Sequence, residues 1–273
     1  MPSRTRRSVL YMPASNLRAM EKAAGLAADA LIFDLEDSVA PEAKIAARAT
    51  LGAAMAAGGF GNRERIIRIN GLDTPWGSDD LAAALAMAPD AILVPKVSTA
   101  ADVAKAAALA GDIPLWVMIE TPLAILNVKE IAATGQSLQC FVLGCNDLLK
   151  DSRMTSRAAL LPALTMTVFA ARSYGLDCLD GVYNDYRDDA GFVVECQEGV
   201  TLGMDGKTLI HPAQIAACNH VFSPSEIQTL WARKVVAAFA APENKAKGVI
   251  ALDGKMVERL HLAMAERLLA VAP

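Results

Sequence analysis

Eight ionisable side chains follow short apolar runs along the chain: Asp34, Glu36, Asp37, Arg68, Lys96, Glu120, Asp147 and Asp180. Asn70, Thr121, Asn146, Tyr183 and His211 fall at similar places. If those runs are strands ending on one rim, six carboxylates and two cations share a pocket. Carboxylates so gathered repel one another, and some protonate unless a cation joins them. With no Cys/His ligand set in view, oxygen donors favour a hard ion, Mg²⁺ or Mn²⁺, over Zn²⁺. Glu120 and Asp147, on adjacent strand ends, are the expected ligands. Asp37 and Asp180, taken singly, read better as caps of helices that begin in the same loops.

Arg68 can clamp a carboxylate or an oxyanion bidentately, and can also pair with the neighbouring Asp34-Leu-Glu-Asp37 segment. Lys96 could form a Schiff base, but a metal site and a Schiff base are usually alternative solutions. His211, in Ile-His-Pro, reads as a structural histidine, and Gly58-Gly-Phe-Gly61 as a surface loop.

The elements that must hold these groups are legible as β-like runs at 8–12, 30–34, 65–69, 91–95, 115–119, 141–144, 178–182 and 207–210. Most are apolar on both faces, as strands of a doubly covered parallel sheet must be. Ala-rich amphipathic stretches lie between them, among them 16–27, 42–57, 100–110 and 158–174. Strand alternating with helix about eight times predicts a closed (β/α)8 barrel, whose chemistry sits at the C-terminal strand ends. An open doubly wound sheet is the runner-up, but the first turn, Pro13-Ala-Ser-Asn16, lacks its usual glycines. Ser15 or Asn16 suits the first helix N-cap, and Ser223 that of a helix running to Ala240. A polar break at 242–248 precedes an apolar run at 249–252 and a last helix over 256–269. The expected division is a barrel over 1–241 and a C-terminal helical extension over 242–273, packing on its own barrel or at a subunit interface.

Composition fits that frame. The chain has 273 residues, 53% hydrophobic and 21% charged, enough for a large core. A net charge of −4 argues against a nucleic-acid partner. Mean hydropathy is +0.30, but charges interrupt every apolar run before the length of a membrane span, so no transmembrane helix is expected. The run after the basic start is too short for a signal-peptide core. Five cysteines without CxxC spacing suggest reduced, buried thiols in a cytoplasmic protein.

An ordered set of motifs runs the length of the chain. It comprises Arg7-Ser-Val-Leu-Tyr-Met-Pro13, Ile32-Phe-Asp-Leu-Glu-Asp37, Arg68-Ile-Asn70, Asp73-Thr-Pro-Trp-Gly77 and Val94-Pro-Lys96. It continues with Ile119-Glu-Thr-Pro122, Asn146-Asp-Leu148, Asp180-Gly-Val-Tyr183, Ile210-His-Pro-Ala-Gln-Ile215 and Phe222-Ser-Pro224. The set resembles the citrate lyase β-subunit-like (HpcH/HpaI aldolase) family, which includes malyl-CoA, citramalyl-CoA and citryl-CoA lyases and some thioesterases.

The resemblance implies a (β/α)8 barrel with Mg²⁺ on Glu120 and Asp147, and Arg68 on the substrate's oxo and thioester oxygens. It implies CoA contacts at Tyr11, Arg18 and Lys22, and along the backbone at Thr208 and Leu209. Asp34, Glu36, Asp37 and Lys96 would surround the site, and Glu120 would also touch substrate. In relatives a carboxylate in the C-terminal tail, offered to a neighbouring subunit, moves the proton; here the matching motif is Gly254-Lys-Met-Val-Glu258. Relatives usually carry Asp at that place, and Gly where this chain has Ala14. The implied activity is Mg²⁺-dependent cleavage of a 3-hydroxyacyl-CoA into acetyl-CoA and a 2-oxo acid, by a homotrimer or hexamer. The alternatives are a malyl-CoA-type thioesterase, a citrate lyase β subunit acting on carrier-bound substrate, and an aldolase on CoA-free acids.

Overall fold

The computed structural model describes residues 4–271, which divide into two compact units: Arg6–Asn219, and the remaining described residues, 4–5 together with those from His220 onward. The first unit is a closed barrel of eight parallel strands in sequential order, as expected. They are β1 (Ser8–Pro13), β2 (Ala30–Asp34), β3 (Glu64–Arg68), β4 (Ala91–Val94), β5 (Leu115–Ile119), β6 (Leu138–Leu143), β7 (Asp177–Asp180) and β8 (Gly206–Leu209). Between them run α1 (Leu17–Ala23), α2 (Lys44–Ala57), α3 (Gly77–Met87), α4 (Ala100–Ala110), α5 (Pro122–Leu126), α6 (Val128–Ala132), α7 (Cys145–Ser152), α8 (Arg157–Tyr174) and α9 (Asp189–Leu202). The helix α10 (Gln214–Val221) follows β8. β2, β4 and β5 are buried at every position, because the interior covers one face and helices cover the other. Asn16 caps α1 by accepting from the Ala19 N–H. All five cysteines are free and buried.

Side chains that alternate inward pack as one cluster: Val9, Ile32, Ile66, Leu93, Trp116, Met118, Val142 and Leu179 among them, with Tyr11 against it. At the N-terminal mouth Arg6 closes this interior. Its Nε and Nη2 each donate at 2.8 Å to Glu64, its Nη1 pairs with Asp177 at 2.5 Å, and its guanidinium lies 4.8 Å from the Trp116 ring. Far from the polar rim, this buried network serves the barrel's stability.

The second unit contains α11 (Glu226–Ala240), a hairpin of β9 (Val249–Leu252) and β10 (Lys255–Glu258), and α12 (Arg259–Val271). Its core gathers Ala232, Val235, Phe239, Ile250, Val257 and Ala265. α11 therefore shares a core with the tail, which is why this unit starts at His220 and not at the polar break after residue 241. Ser225, not Ser223, caps α11, in a reciprocal capping box with Gln228. Residues 256–258, expected to begin the last helix, belong to β10. Asp253 and Gly254 both take positive φ (49° and 75°), the backbone a two-residue hairpin turn requires. Among the described residues no single helix is long and apolar enough to cross a membrane.

Arg6→Leu leaves the Glu64 carboxylate buried without its partner, at a cost of about 3–5 kcal/mol. Denaturant unfolding of the variant should show that loss at unchanged m-value. A loss below about 1 kcal/mol would mean the network contributes little.

Candidate functional site

Period-two alternation decides what faces the barrel interior at its C-terminal end. Val9 and Ile32 point inward, so Tyr11 and Asp34 do too; Ile66 is followed by Arg68, and Met118 by Glu120. Asp34 and Arg68 are direct register partners on β2 and β3. Tyr11, Asp34, Arg68, Met118 and Glu120 line a cavity of about 320 Å³, together with Asp37, Gly144, Asn146, Asp147, Asn184 and Thr208.

Arg68 is nearly immobilised on one side of this cavity. Its Nε donates to Asp34 Oδ1 at 2.7 Å and its Nη2 to Asp34 Oδ2 at 2.6 Å. Its Nη1 lies 2.9 Å from Glu36 Oε2, too poorly aligned for a hydrogen bond, so that buried oxygen relies on charge alone. The guanidinium sits 4.9 Å from the Tyr11 ring. Asp34 is held in turn by backbone N–H groups of Glu36 (2.8 Å) and Ser38 (3.1 Å). Lys44 Nζ donates to the carbonyls of Leu35 and Glu36, and Asn70 Nδ2 to that of Leu35, which fixes the same loop from outside.

These surroundings set the charges. Burial alone would raise the Asp34 carboxyl, but Arg68 overcomes it and holds the group below its ordinary value. Glu36 goes the other way. Burial pushes it up to about 7 against the pull of Arg68, with Asp37, Glu120 and Asp34 adding to the rise. Arg68 spends two of its five N–H bonds on Asp34, so the outer hydrogens of Nη1 and Nη2 remain for a ligand.

Glu120 and Asp147 face Arg68 from β5 and the first turn of α7. Glu120 is 1% exposed, and burial raises its carboxyl while Lys96 opposes the rise. Gly144 makes room for it, since a Cβ there would overlap Glu120's own Cβ and lie 2.5 Å from Oε2. The Lys96 N–H donates to Glu120 Oε1 at 2.8 Å. Lys96 Nζ lies 3.6 Å from the same oxygen and in closer contact with Asp147 Oδ2. Two carboxylates thus converge on a single positive centre. Among the described residues no third His, Cys, Asp or Glu joins them. That donor set suits a hard ion that keeps positions for water and substrate.

Of the other expected residues, some reach this cavity and some do not. Asp180 follows inward-facing Leu179 and so points outward, towards the helices. There it accepts both Arg157 Nη groups (2.9 and 3.0 Å) and Lys207 Nζ (2.9 Å), and it is 0% exposed. It neither caps a helix nor joins the rim charges. Glu195 joins the cluster through Lys207 Nζ, at 2.6 Å; it, Arg157 and Lys207 carry no sequence signal, because nothing in one chain shows that they meet. Tyr11, expected on the CoA path, lies inside the barrel with its hydroxyl 3.4 Å from Met118 Sδ.

Arg18 and Lys22 are exposed, one turn apart on α1. Thr208 reaches the cavity, whereas Leu209 is fully buried. His211 stacks on Tyr186 at 4.5 Å and its Nδ1 accepts the Ala213 N–H, as a structural histidine should. Asn146 and Asn184 exchange amide hydrogen bonds at the rim, at 3.1 and 2.8 Å. Glu258 ends β10 in the second unit, its N–H donating to His261 Nδ1.

A model of the HpcH/HpaI aldolase/citrate lyase family matches residues 7–212, which takes in all eight barrel strands and every residue lining the cavity. The chain belongs to this family. A (3S)-malyl-CoA thioesterase of Cereibacter sphaeroides is 50% identical over 97% of this chain and 94% of its own length. An L-malyl-CoA/beta-methylmalyl-CoA lyase of the same organism is 36% identical over the same shares. Among solved structures, CitE from Mycobacterium tuberculosis, in complex with magnesium, acetoacetate and coenzyme A, superposes with a TM-score of 0.80. It is 29% identical and covers 97% of both chains. Family membership thus agrees with the motif reading, while the relatives' names divide between hydrolysis and carbon–carbon cleavage.

Glu36 gives the site a pH signature. Its proton is held more tightly in the folded protein (about 7) than at the ordinary value of 4.5. Its stabilising contribution is therefore complete below about 4.5 and is lost as pH rises through about 7. Asp34, depressed, acts oppositely and at lower pH. Denaturant titrations of metal-free protein from about pH 5 to pH 8 should show Glu36→Gln losing less stability than the parent, by roughly 1–3 kcal/mol. Parallel pH profiles would count against a neutral Glu36.

Proposed function

We propose that this protein is a Mg²⁺-dependent hydrolase of a malyl-CoA-type thioester, releasing free CoA and the 3-hydroxy acid. The observation that carries the site assignment is Arg68, clamped by Asp34 with donors to spare and facing the Glu120–Asp147 pair across one cavity. The choice of hydrolysis is supported by the 50% identity to malyl-CoA thioesterases along nearly the whole chain.

Each part has a place in that chemistry. Glu120 and Asp147 would hold the ion, which when bound supplies charge to orient the substrate's carboxylate and hydroxyl oxygens. Arg68 offers its outer N–H groups to the thioester oxygen, where negative charge grows as water attacks the carbonyl carbon. Because Asp34 fixes the guanidinium beforehand, little reorganisation is needed at that moment. A base takes the water's proton, the C–S bond breaks and the thiolate is protonated on leaving. We assign the proton transfer to Glu258, presented by a neighbouring copy in a homo-oligomer. Its carboxyl reaches about one methylene further than the Asp usual in the family, which suits a water placed between base and thioester. Arg18 and Lys22 on α1 would meet the phosphates of CoA.

The second reading, carbon–carbon cleavage, is favoured by the family and the lyase relatives. It uses the same parts: the base takes the substrate's hydroxyl proton, the C2–C3 bond breaks, Arg68 stabilises the enolate, and a proton delivered to the enolate carbon gives acetyl-CoA.

Mass spectrometry of products from malyl-CoA and MgCl₂ separates the readings. Free CoA and malate are expected, with Asp147→Ala reducing turnover at least about a hundredfold while circular dichroism stays unchanged. Acetyl-CoA and glyoxylate as main products would establish the lyase instead. An untouched thioester would point to a subunit that needs a carrier-bound substrate.

A further inference from the structure

The Lys96 ammonium stands where a cation ligated by Glu120 and Asp147 would have to sit. It lies 3.6 Å from Glu120 Oε1 and in direct contact with Asp147 Oδ2. Its backbone is equally committed: φ at Lys96 is 54°, a left-handed conformation uncommon for a residue with a side chain, and its N–H donates to Glu120 Oε1 at 2.8 Å. The side chain is nonetheless 41% exposed, so it has a way out. Asp147 has a second cationic neighbour, Lys150, at 3.7 Å, but that side chain is 76% exposed and does not bridge to Glu120.

We propose that Lys96 is a built-in placeholder: it bridges Glu120 and Asp147 when the divalent ion is absent, and swings aside when the ion binds. This deepens, and rests on, the reading of those two carboxylates as the ion's ligands. Without a cation, the nearly buried Glu120 and the neighbouring Asp147 would repel and the strand-end loops would spread. With Lys96 between them the metal-free site stays assembled, its two negative charges reduced to one. The arrangement also holds metal affinity down, because each binding event must displace an ammonium from the same oxygens. Once displaced, that ammonium lies at the rim of a cavity meant for an anionic substrate.

Calorimetric titration of the full chain with MgCl₂ alone tests this, alongside thermal melts with and without MgCl₂. Lys96→Met should bind Mg²⁺ about tenfold more tightly than the parent, one decade corresponding to about 1.4 kcal/mol. Lys150→Met, which removes the same charge from beside Asp147, should change affinity by less than about threefold, since exposed pairs are weak. Metal-free Lys96→Met should melt below the parent, and saturating MgCl₂ should close the gap. Lys96→Arg, which keeps the charge, should bind no more tightly than the parent; Lys96→Gln replaces the Met variant if that fails to fold.

Equal or weaker Mg²⁺ binding by the Lys96→Met protein overturns the placeholder and leaves the ligand assignment standing. Equal tightening in the Lys96 and Lys150 variants also overturns it, because general charge would then explain the effect. If neither parent nor variant takes up Mg²⁺, the ligand assignment fails and this inference falls with it. Uptake by the variant alone supports it.

Discussion

A guanidinium at the inner end of a barrel strand must be neutralised where it stands. Arg68 on β3 is 7% exposed and meets its partner, Asp34, at the adjacent register position of β2. The pairing costs both groups their hydration, and the two parallel N–H···O bonds offset it only because the geometry is tight. Asp34 in turn draws the N–H groups of Glu36 and Ser38, so the loop after β2 folds round the pair. From this follow the orientation of Arg68, the low carboxyl of Asp34, the burial of Glu36 and the outline of the cavity on that side. An Arg68 left without Asp34 would lose both of its carboxylate hydrogen bonds and with them the fixed orientation of its guanidinium.

The opposite wall obeys a different constraint. Glu120 is as buried as Asp34, yet no arginine pairs with it at hydrogen-bond distance; it has a backbone N–H and a partly exposed lysine. One wall therefore has its charge matched permanently, and the other has it matched by a side chain that can move. The first suits a group that must not shift during reaction, and the second a site that must accept and release an ion. Hydrolysis and carbon–carbon cleavage both need a stabilised oxyanion and a moved proton, so relatives can share these walls and differ in which atom the base reaches.

Much of this was legible in the residues. Doubly apolar runs alternating with Ala-rich stretches marked the barrel because a sheet covered on both faces leaves no alternation to misread. Polar residues at the ends of those runs marked the rim. Arg68 was expected both to bind an oxyanion and to pair with the Asp34 segment, and it is poised for both. What failed was facing. Asp180 sits at a strand end like Glu120, but one step in parity sends it outward to Arg157 and Lys207. Strand limits read one residue late at the start and two at the end hide that parity: the apolar run spans 178–182, and β7 is Asp177–Asp180. Tyr11, which the family resemblance puts on the CoA path, faces inward by the same alternation and lines the cavity beneath Arg68. The apolar run at 249–252 and the helix expected from 256 conceal a hairpin at 249–258, whose turn signal, Asp253-Gly254, lies between two short strands.

On the proposed function, one cavity holds a divalent ion between Glu120 and Asp147, with Arg68 reaching the same ligand. The most direct test is a crystal of this protein soaked with MnCl₂ and malate, measured at the manganese absorption edge. A single strong anomalous peak between those carboxylates, with malate oxygens on the ion and within hydrogen-bond reach of Arg68, is the predicted result. A peak elsewhere, or malate bound away from Arg68 with no peak at the carboxylates, would contradict it.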